Sequence, residues 1–325
     1  MEMRKVNIAI LGLGTVGGST FDILTKNREL ILKRTGIDFA VSRVLEKREE
    51  AIERHKVPRD IVTTDIDALL AADDVDIVVE CIGGREPVTT WMLTALANGK
   101  SVVTPNKAVV ADKFEVFKEA AEKGGGQFRF EAAVGGGIPV LSPIMNDLAG
   151  NRFSNIMGIV NGTTNYILTQ MTENGMAYED ALKDAQAKGF AEADPTADVE
   201  GIDAANKLCI LMKLAFDEYV HPTNIPRTGI TGVTKADLDA AAEKGCVIKL
   251  IAKATLDEEG ALDCSVSPTE LPKSHPLAGV SNEFNAIFLT GNAVDDVMFY
   301  GKGAGPATGS AIVGDIIAIM KALQK

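Results

Sequence analysis

VNIAILGLGTVGGSTFDIL, residues 6–24, decides the fold. Val6 to Leu11 is a short apolar run of the buried-strand type, and a helical segment extends from Thr15 to about Lys33. Between them stands Gly12-Leu13-Gly14-Thr15-Val16-Gly17. Strand, G-x-G-x-x-G and helix occur in the order that a dinucleotide site needs. The first glycine makes the turn, the second lets a pyrophosphate approach the backbone, and the third lets helix and strand pack closely. The helix start then offers free N–H groups to the phosphates. The motif alone is weak, but its context makes Gly12, Gly14, Thr15, Val16 and Gly17 candidate cofactor-binding residues.

Working outward, the strand–helix rhythm continues. Phe39 to Leu45 reads as the second strand and ends at Glu46-Lys47-Arg48. A carboxylate at that end favours the free ribose 2′-hydroxyl of NAD, and a basic group favours the 2′-phosphate of NADP. Both charges are present, and Glu46 lies 46 − 17 = 29 positions past Gly17, beyond the usual ~20 because the first helix is long. Val75–Glu80, Ser101–Thr104 and Gln127–Glu131 read as further strands, with helices from about Val88 to Asn98 and from Lys107 to about Lys123. Such alternation implies a parallel sheet covered on both faces, with ligands at the carboxyl ends of its strands. Glu80–Gly84 and Thr104–Lys107 stand at such ends, so Gly83, Thr104 and Lys107 join the candidates.

Composition narrows the function class. The 325 residues suffice for two domains, and the formal charge of −12 argues against nucleic acid or an anionic membrane as partner. No apolar run reaches the ~20 residues of a membrane span, and no cleavable leader is read at the N-terminus. Cys81, Cys209, Cys246 and Cys264 are scattered without a C-x-x-C, as reduced cytoplasmic thiols are. Three isolated histidines offer little material for a His/Cys metal site.

Past Glu131 the pattern changes. Glu131-Ala-Ala-Val-Gly-Gly-Gly-Ile-Pro139 places a carboxylate before three glycines. Their backbone can present carbonyl oxygens to a cation, although an interdomain hinge explains the run as simply. Phe153–Val160 is strand-like, and Asn161-Gly-Thr-Thr-Asn165 turns into a helix through Met171. Tyr178–Lys188 is helical. Cys246–Thr255, Leu262–Val266, Ala286–Thr290 and Val294–Tyr300 have hairpin-like spacing, which suggests a mixed or antiparallel sheet in a second domain. A final helix, Thr308 to about Leu323, has one apolar face and is expected to dock back on the first domain. The expected organisation is a nucleotide-binding domain over 1–132, rejoined by 301–325, and a second domain over 133–300.

The second domain centres on AQAKGFAEADPTADVEGIDAANK, residues 185–207, dense in carboxylates and ending on Lys207. Asp194-Pro195 reads as a helix start, with Asp198 as an alternative cap. Asp203 and Lys207 are four apart and share a face. Ile210, Leu211 and Leu214 continue that face, so the pair heads an apolar stripe. A solvated pair at this spacing contributes only about 0.3–0.5 kcal/mol; a lysine drawn into a partly apolar cleft beside a carboxylate does proton chemistry.

This stretch resembles the signature of the homoserine dehydrogenases in Ala185, Gly189, Asp194-Pro195, Asp198, Gly201, Asp203 and Lys207. Gly12–Gly17, Glu80–Gly84, Thr104–Lys107, Glu131–Pro139, Asn161–Met171 and Gly303–Ser310 resemble further motifs of that family in the same order. Pro105 stands where alanine is usual, Gly305–Ser310 differs in detail, and the second strand ends without a clear arginine. The resemblance implies an α/β protein: a Rossmann-type doubly wound parallel sheet plus an α+β domain. It implies reversible reduction of L-aspartate 4-semialdehyde to L-homoserine, a step toward threonine, methionine and isoleucine, with NADP(H) or NAD(H), NADP(H) being favoured. By that likeness Lys207 donates the proton and Lys107 assists. Glu192, Asp198, Asp203, Gly162 and Thr163 bind the substrate. Gly189, Gly303 and Gly305 line the cofactor. Glu131 with Val134, Gly136 and Ile138 holds Na+ or K+, which favours the cation over the hinge. The family likeness also implies a cytoplasmic homodimer; the chain length implies the short form, without an appended regulatory domain. The rivals are a phosphorylating semialdehyde dehydrogenase, which needs a nucleophilic Cys with a His base, a dehydrogenase of another amino-aldehyde, and a non-catalytic nucleotide sensor on the same fold.

Overall fold

The computed structural model describes residues 5–324. Its described residues form two compact units, 5–137 with 305–324 and 138–304.

The first unit opens with β1 (Val6–Leu11), α1 (Thr15–Lys26), α2 (Arg28–Thr35), β2 (Phe39–Leu45), α3 (Glu49–Arg54), β3 (Val62–Thr63), α4 (Ile66–Ala71), β4 (Ile77–Glu80), α5 (Val88–Ala97), β5 (Ser101–Val103), α6 (Lys107–Gly124) and β6 (Phe128–Arg129). The strands form one parallel sheet in the order β3-β2-β1-β4-β5-β6. Strand order reverses between β1 and β4, so the loops after them flank the crevice where ligands of such sheets bind. Alternation along β1 divides the core: Ile8 and Ile10 face Phe21, Leu24 and Phe39, whereas Ala9 and Leu11 face Leu69, Met92, Leu96 and Phe117. The long first helix expected from the sequence is two helices parted at Asn27, each supplying its own backbone cap.

The second unit contains α7 (Leu141–Met145), β7 (Phe153–Ile159), α8 (Gly162–Asn174), α9 (Tyr178–Ala187), α10 (Thr196–Val199), α11 (Ile202–Phe216), α12 (Lys235–Glu243), β8 (Cys246–Leu256), β9 (Leu262–Pro272), β10 (Phe284–Gly291) and β11 (Asp295–Lys302). Its sheet is wholly antiparallel, in the order β11-β10-β7-β8-β9. The stretch around Asp194-Pro195 does not open one continuous helix. Asp194 accepts the Thr196 N–H at 3.1 Å and starts the single turn α10. Gly201 then adopts φ +75°, and α11 begins after it. That left-handed step turns α11 so that Leu208, Ile210, Leu211 and Met212 are buried.

The last helix, α13 (Thr308–Leu323), belongs to the first unit. Its Ile312, Ile316, Ile319 and Met320 complete the core on the Ile8 side. Gly309 permits the close approach to α1, because a Cβ there would lie 2.4 Å from Ser19 Oγ. By length and composition this helix alone among the described residues passes for a membrane span, but half of it is buried in the core.

Candidate active site

In the first unit the glycine loop has the form that the motif implies. Gly12 has φ +89°, and a Cβ on Gly17 would fall 2.0 Å from the Gly12 carbonyl oxygen. Gly14 faces open space, and the start of α1 carries neither a side-chain cap nor an acidic residue in its first turn. Those N–H groups suit a phosphate.

The end of β2 resolves the mixed charges of Glu46-Lys47-Arg48. Glu46 is buried and accepts five hydrogen bonds. They come from the backbone of Leu13 at 2.8 Å, of Lys47 at 2.9 Å and of Arg48 at 3.0 Å, and from Arg48 Nε at 3.0 Å and Nη2 at 2.7 Å. The Arg48 guanidinium leads in holding its carboxyl down at about 2, against the opposing effect of burial. Glu46 thus braces the glycine loop, while Lys47 and Arg48 remain exposed.

Gly83 and Thr104 follow β4 and β5, and Lys107 is the half-buried first residue of α6. A carboxylate that the sequence reading left without a role stands between them. Glu80 is fully buried and accepts the Ile82 and Gly83 N–H groups, each at 2.7 Å, and the Thr104 hydroxyl at 2.7 Å.

The cation candidates Glu131, Val134 and Gly136 are buried in the first unit, and Ile138 is the first residue of the second. Gly135 and Gly136 have φ of +71° and +54°. The Glu131 N–H donates to Asp315 of α13 at 2.8 Å, and burial pushes the Asp315 carboxyl up to about 7. No group of three His, Cys, Asp or Glu side chains suited to a metal occurs among the described residues. Any ion at Glu131 would therefore depend on backbone carbonyls, the ligands an alkali cation accepts.

In the second unit Asp203, Lys207, Asp198 and Thr163 converge. Asp203 and Lys207 are each 7% exposed, so theirs is no solvated pair. Lys207 Nζ donates to Asp203 Oδ2 at 2.7 Å and to the Val160 carbonyl at 2.6 Å. Asn161, read from sequence only as part of a turn, joins the two acids. Its Nδ2 donates to Asp198 Oδ1 at 2.6 Å and Asp203 Oδ2 at 2.9 Å, and its Oδ1 caps α8 by accepting the Thr164 N–H at 2.9 Å. Burial raises the Asp198 carboxyl; the Asn161 amide opposes that, and the Asp203 charge adds to it. Thr163 Oγ1 lies 2.6 Å from the Phe190 carbonyl and 3.2 Å from Asp198 Oδ2. Gly162 opens α8. Glu192 is exposed on the loop before α10, and Gly189, at φ +76°, ends α9.

Gly303 follows β11, where a Cβ would lie 2.1 Å from the buried Asn285 amide. Both polar atoms of that amide lack a hydrogen-bond partner. Gly305 opens a 3-10 turn in the first unit. Cys81 fits no nucleophilic role: burial, then the Glu80 charge, pushes its thiol well up. The histidines lie elsewhere; His55 pairs with Asp22, and His275 caps the Leu277 N–H.

Comparison with known proteins shows the family. The family model for homoserine dehydrogenase matches residues 139–317, and that for the homoserine dehydrogenase NAD-binding domain matches residues 12–131. The homoserine dehydrogenase of Mycobacterium tuberculosis is 46% identical over 321 residues, 97% of this chain and 72% of that protein. The crystal structure of a homoserine dehydrogenase from Thiobacillus denitrificans superposes with a TM-score of 0.94 at 40% identity, covering 99% of this chain and 74% of the other. A hyperthermophilic archaeal homoserine dehydrogenase, solved in complex with NADPH, superposes with a TM-score of 0.80 at 27% identity over 97% of each chain.

Proposed function

This chain belongs to the homoserine dehydrogenase family of oxidoreductases, and we propose from that premise that it interconverts L-aspartate 4-semialdehyde and L-homoserine with NADP(H). The reaction stands in threonine, methionine and isoleucine biosynthesis, in the cytoplasm. The observation that carries the mechanism is the buried Lys207–Asp203 pair joined through Asn161 to Asp198. When bound, the nicotinamide supplies or accepts the hydride at the substrate's terminal carbon.

The chain's own part is charge and proton handling. Reduction of an aldehyde leaves an alkoxide, which needs a positive charge and a proton at once. The Lys207 ammonium supplies both. Asp203 and the Val160 carbonyl hold that ammonium in place through bonds of 2.7 and 2.6 Å. Lys107 is the second lysine of the proton path. The substrate is zwitterionic, so its ammonium needs a carboxylate, assigned to Glu192 with Asp203, and its carboxylate suits the Gly162–Thr163 start of α8. Gly189, Gly303 and Gly305 are assigned to the cofactor on the family likeness.

The coenzyme choice rests on Glu46 and Arg48. A ribose 2′-hydroxyl bonded to Glu46 would have to displace one of five existing donors. Arg48 has half its side chain exposed and is already oriented by that carboxylate, an arrangement suited to a 2′-phosphate. The archaeal relative's complex with NADPH accords with this. Glu131, Val134, Gly136 and Ile138 are proposed to bind Na+ or K+, and the antiparallel sheet to form a homodimer.

Lys207→Ala is expected to abolish turnover in both directions while reduced cofactor still binds, measured by nicotinamide absorbance with L-homoserine and by cofactor fluorescence. A variant with near-full rate would exclude Lys207 as proton donor. Parallel runs with NADP and NAD test the coenzyme; a faster rate with NAD would overturn the role given to Arg48.

A further inference from the structure

Glu80 ends the innermost run of the first sheet with a side chain that solvent does not reach. Placing a carboxylate there costs several kcal/mol unless hydrogen bonds replace its water. The donors that replace it come from two separate loops. Ile82 and Gly83 belong to the loop after β4, and Thr104 to the loop after β5. Thr104 Oγ1 also accepts the Asn106 N–H at 3.0 Å, and Asn106 Nδ2 returns to the first loop by donating to the Gly84 carbonyl at 2.6 Å. Asn106 Oδ1 then lies 3.4 Å from the Val109 N–H and caps α6, whose first residue is Lys107. The bonds close a ring: Glu80, Gly83–Gly84, Asn106, Thr104 and back to Glu80.

A turn alone does not require this. Ile82 is 48% exposed and Gly83 is exposed, so water could serve their N–H groups without any buried charge. The first loop also touches the glycine loop: a Cβ on Gly12 would meet Ile82 Cγ1 at 2.9 Å and the Cys81 carbonyl oxygen at 3.3 Å. One carboxylate thereby fixes the loop that rests on the glycine motif against the loop that carries Lys107.

We infer that Glu80 is a positioning residue for the dehydrogenase reaction, holding the cofactor-side loop after β4 and the Lys107 loop after β5 in a single register through Thr104. The inference rests on the roles proposed above for those loops. Glu80→Gln leaves Ile82 and Gly83 only a neutral acceptor, about half as strong as the carboxylate, and turns an NH2 toward Thr104. Thr104→Val keeps the shape but removes two bonds, the hydroxyl's own to Glu80 and the one it accepts from the Asn106 N–H.

The experiment compares the two variants and the double variant with wild type. It measures reduced-cofactor affinity by fluorescence, kcat and KM for L-homoserine, and thermal unfolding. Thr104→Val should lower kcat about tenfold or more, in line with the two hydrogen bonds it removes, and should weaken cofactor binding less than Glu80→Gln does. Glu80→Gln should weaken cofactor binding more, and in the double variant the Thr104 change should cost less kcat than it does in wild type, because the bond between the two residues is already disturbed. Wild-type kcat in Thr104→Val, or losses that multiply in the double variant, would overturn the inference. So would variants that lose only thermal stability while each folded molecule keeps its kcat. If Glu80→Gln fails to fold, Thr104→Val still decides. The cofactor arm needs no homoserine turnover, so failure of the substrate assignment is distinguishable from failure of this inference.

Discussion

Asn161→Ala is the sharpest test of the second unit's site, because one amide serves three partners there. Nδ2 donates to two buried carboxylates, at 2.6 Å to Asp198 and 2.9 Å to Asp203, and Oδ1 caps α8. Loss of the cap costs about 1 kcal/mol. Each hydrogen bond to a charged group contributes about 1.5–3 kcal/mol. The gross loss is about 4–7 kcal/mol, and water entering the gap should return part of it, leaving a fall in stability of about 3 kcal/mol or more. The kinetic effect is separate. Asp203 loses a donor on the same oxygen that holds Lys207, so kcat with L-homoserine should fall by about 10–100-fold, the equivalent of one such bond. The pH profile carries the sign. Asp198 already has its carboxyl raised by burial, and the Asn161 amide is the leading influence pulling it down. Without that amide Asp198 takes up its proton at a higher pH, so the acid limb of the profile should move toward neutrality. Asn161→Asp is the companion: as pH falls, its protonated form regains a donor, and activity should recover relative to Asn161→Ala. The assays are steady-state kinetics from pH 5 to 9 and thermal unfolding of the same samples. Wild-type kcat/KM in a folded Asn161→Ala enzyme would refute the reasoning.

Three further outcomes follow from the same structure. Lys249 is buried on β8, with Nζ donating to the Val280 carbonyl at 2.7 Å and Asn165 Oδ1 at 3.2 Å, and burial lowers its pKa to about 8. The folded state then binds fewer protons than the unfolded between pH 8 and about 10.4, so this lysine's cost, about 3 kcal/mol at neutral pH, should disappear as pH rises through that window. Wild type should gain stability there relative to Lys249→Met, and parallel unfolding curves would contradict it. Removal of all monovalent cations should lower activity or thermal stability, with K+ or Na+ restoring it; an indifferent enzyme would remove the Glu131 site. Met298 and Tyr300 are exposed on β11 opposite Phe288 and Ala286, and Tyr300 stacks on Phe284 with centroids 5.2 Å apart. If a second copy covers this face, Tyr300→Asp should convert a dimer to a monomer in sedimentation, and a wild-type monomer would end that proposal.

The parts legible in sequence were those carried by periodicity or by a backbone requirement. Ile8 and Ile10 alternate with Ala9 and Leu11 because both faces of β1 are covered, and glycine is required where a Cβ on residue 17 would strike the Gly12 carbonyl. Asp203 and Lys207 could be paired from their spacing, and the apolar stripe beyond them made a buried pair one of two readings; the fold shows the burial. What stayed hidden depends on contacts distant in the chain. Asn161 meets acids 37 and 42 positions away; the sequence showed only a turn into a helix there, and nothing local signalled that one amide would both cap α8 and join two acids.

Glu46 shows why the charge pattern at the end of β2 was ambiguous in one dimension. A carboxylate there would ordinarily be assigned to the ribose. Folding brings the Leu13 N–H, 33 positions earlier, to within 2.8 Å of it and folds Arg48 back against it. The acid then braces the loop, and on the proposal above the coenzyme choice passes to the neighbouring cation. Glu80 repeats the arrangement one strand over: an acid closing an apolar strand serves the backbone of adjacent loops. In this sheet, carboxylates at the ends of β2 and β4 fix loop geometry, and the groups left exposed beside them are those available to a ligand. That division of labour explains how a strongly acidic chain can offer the uncapped start of α1 to an anionic cofactor: the nearest acid, Glu46, is held by backbone N–H groups and by the Arg48 guanidinium.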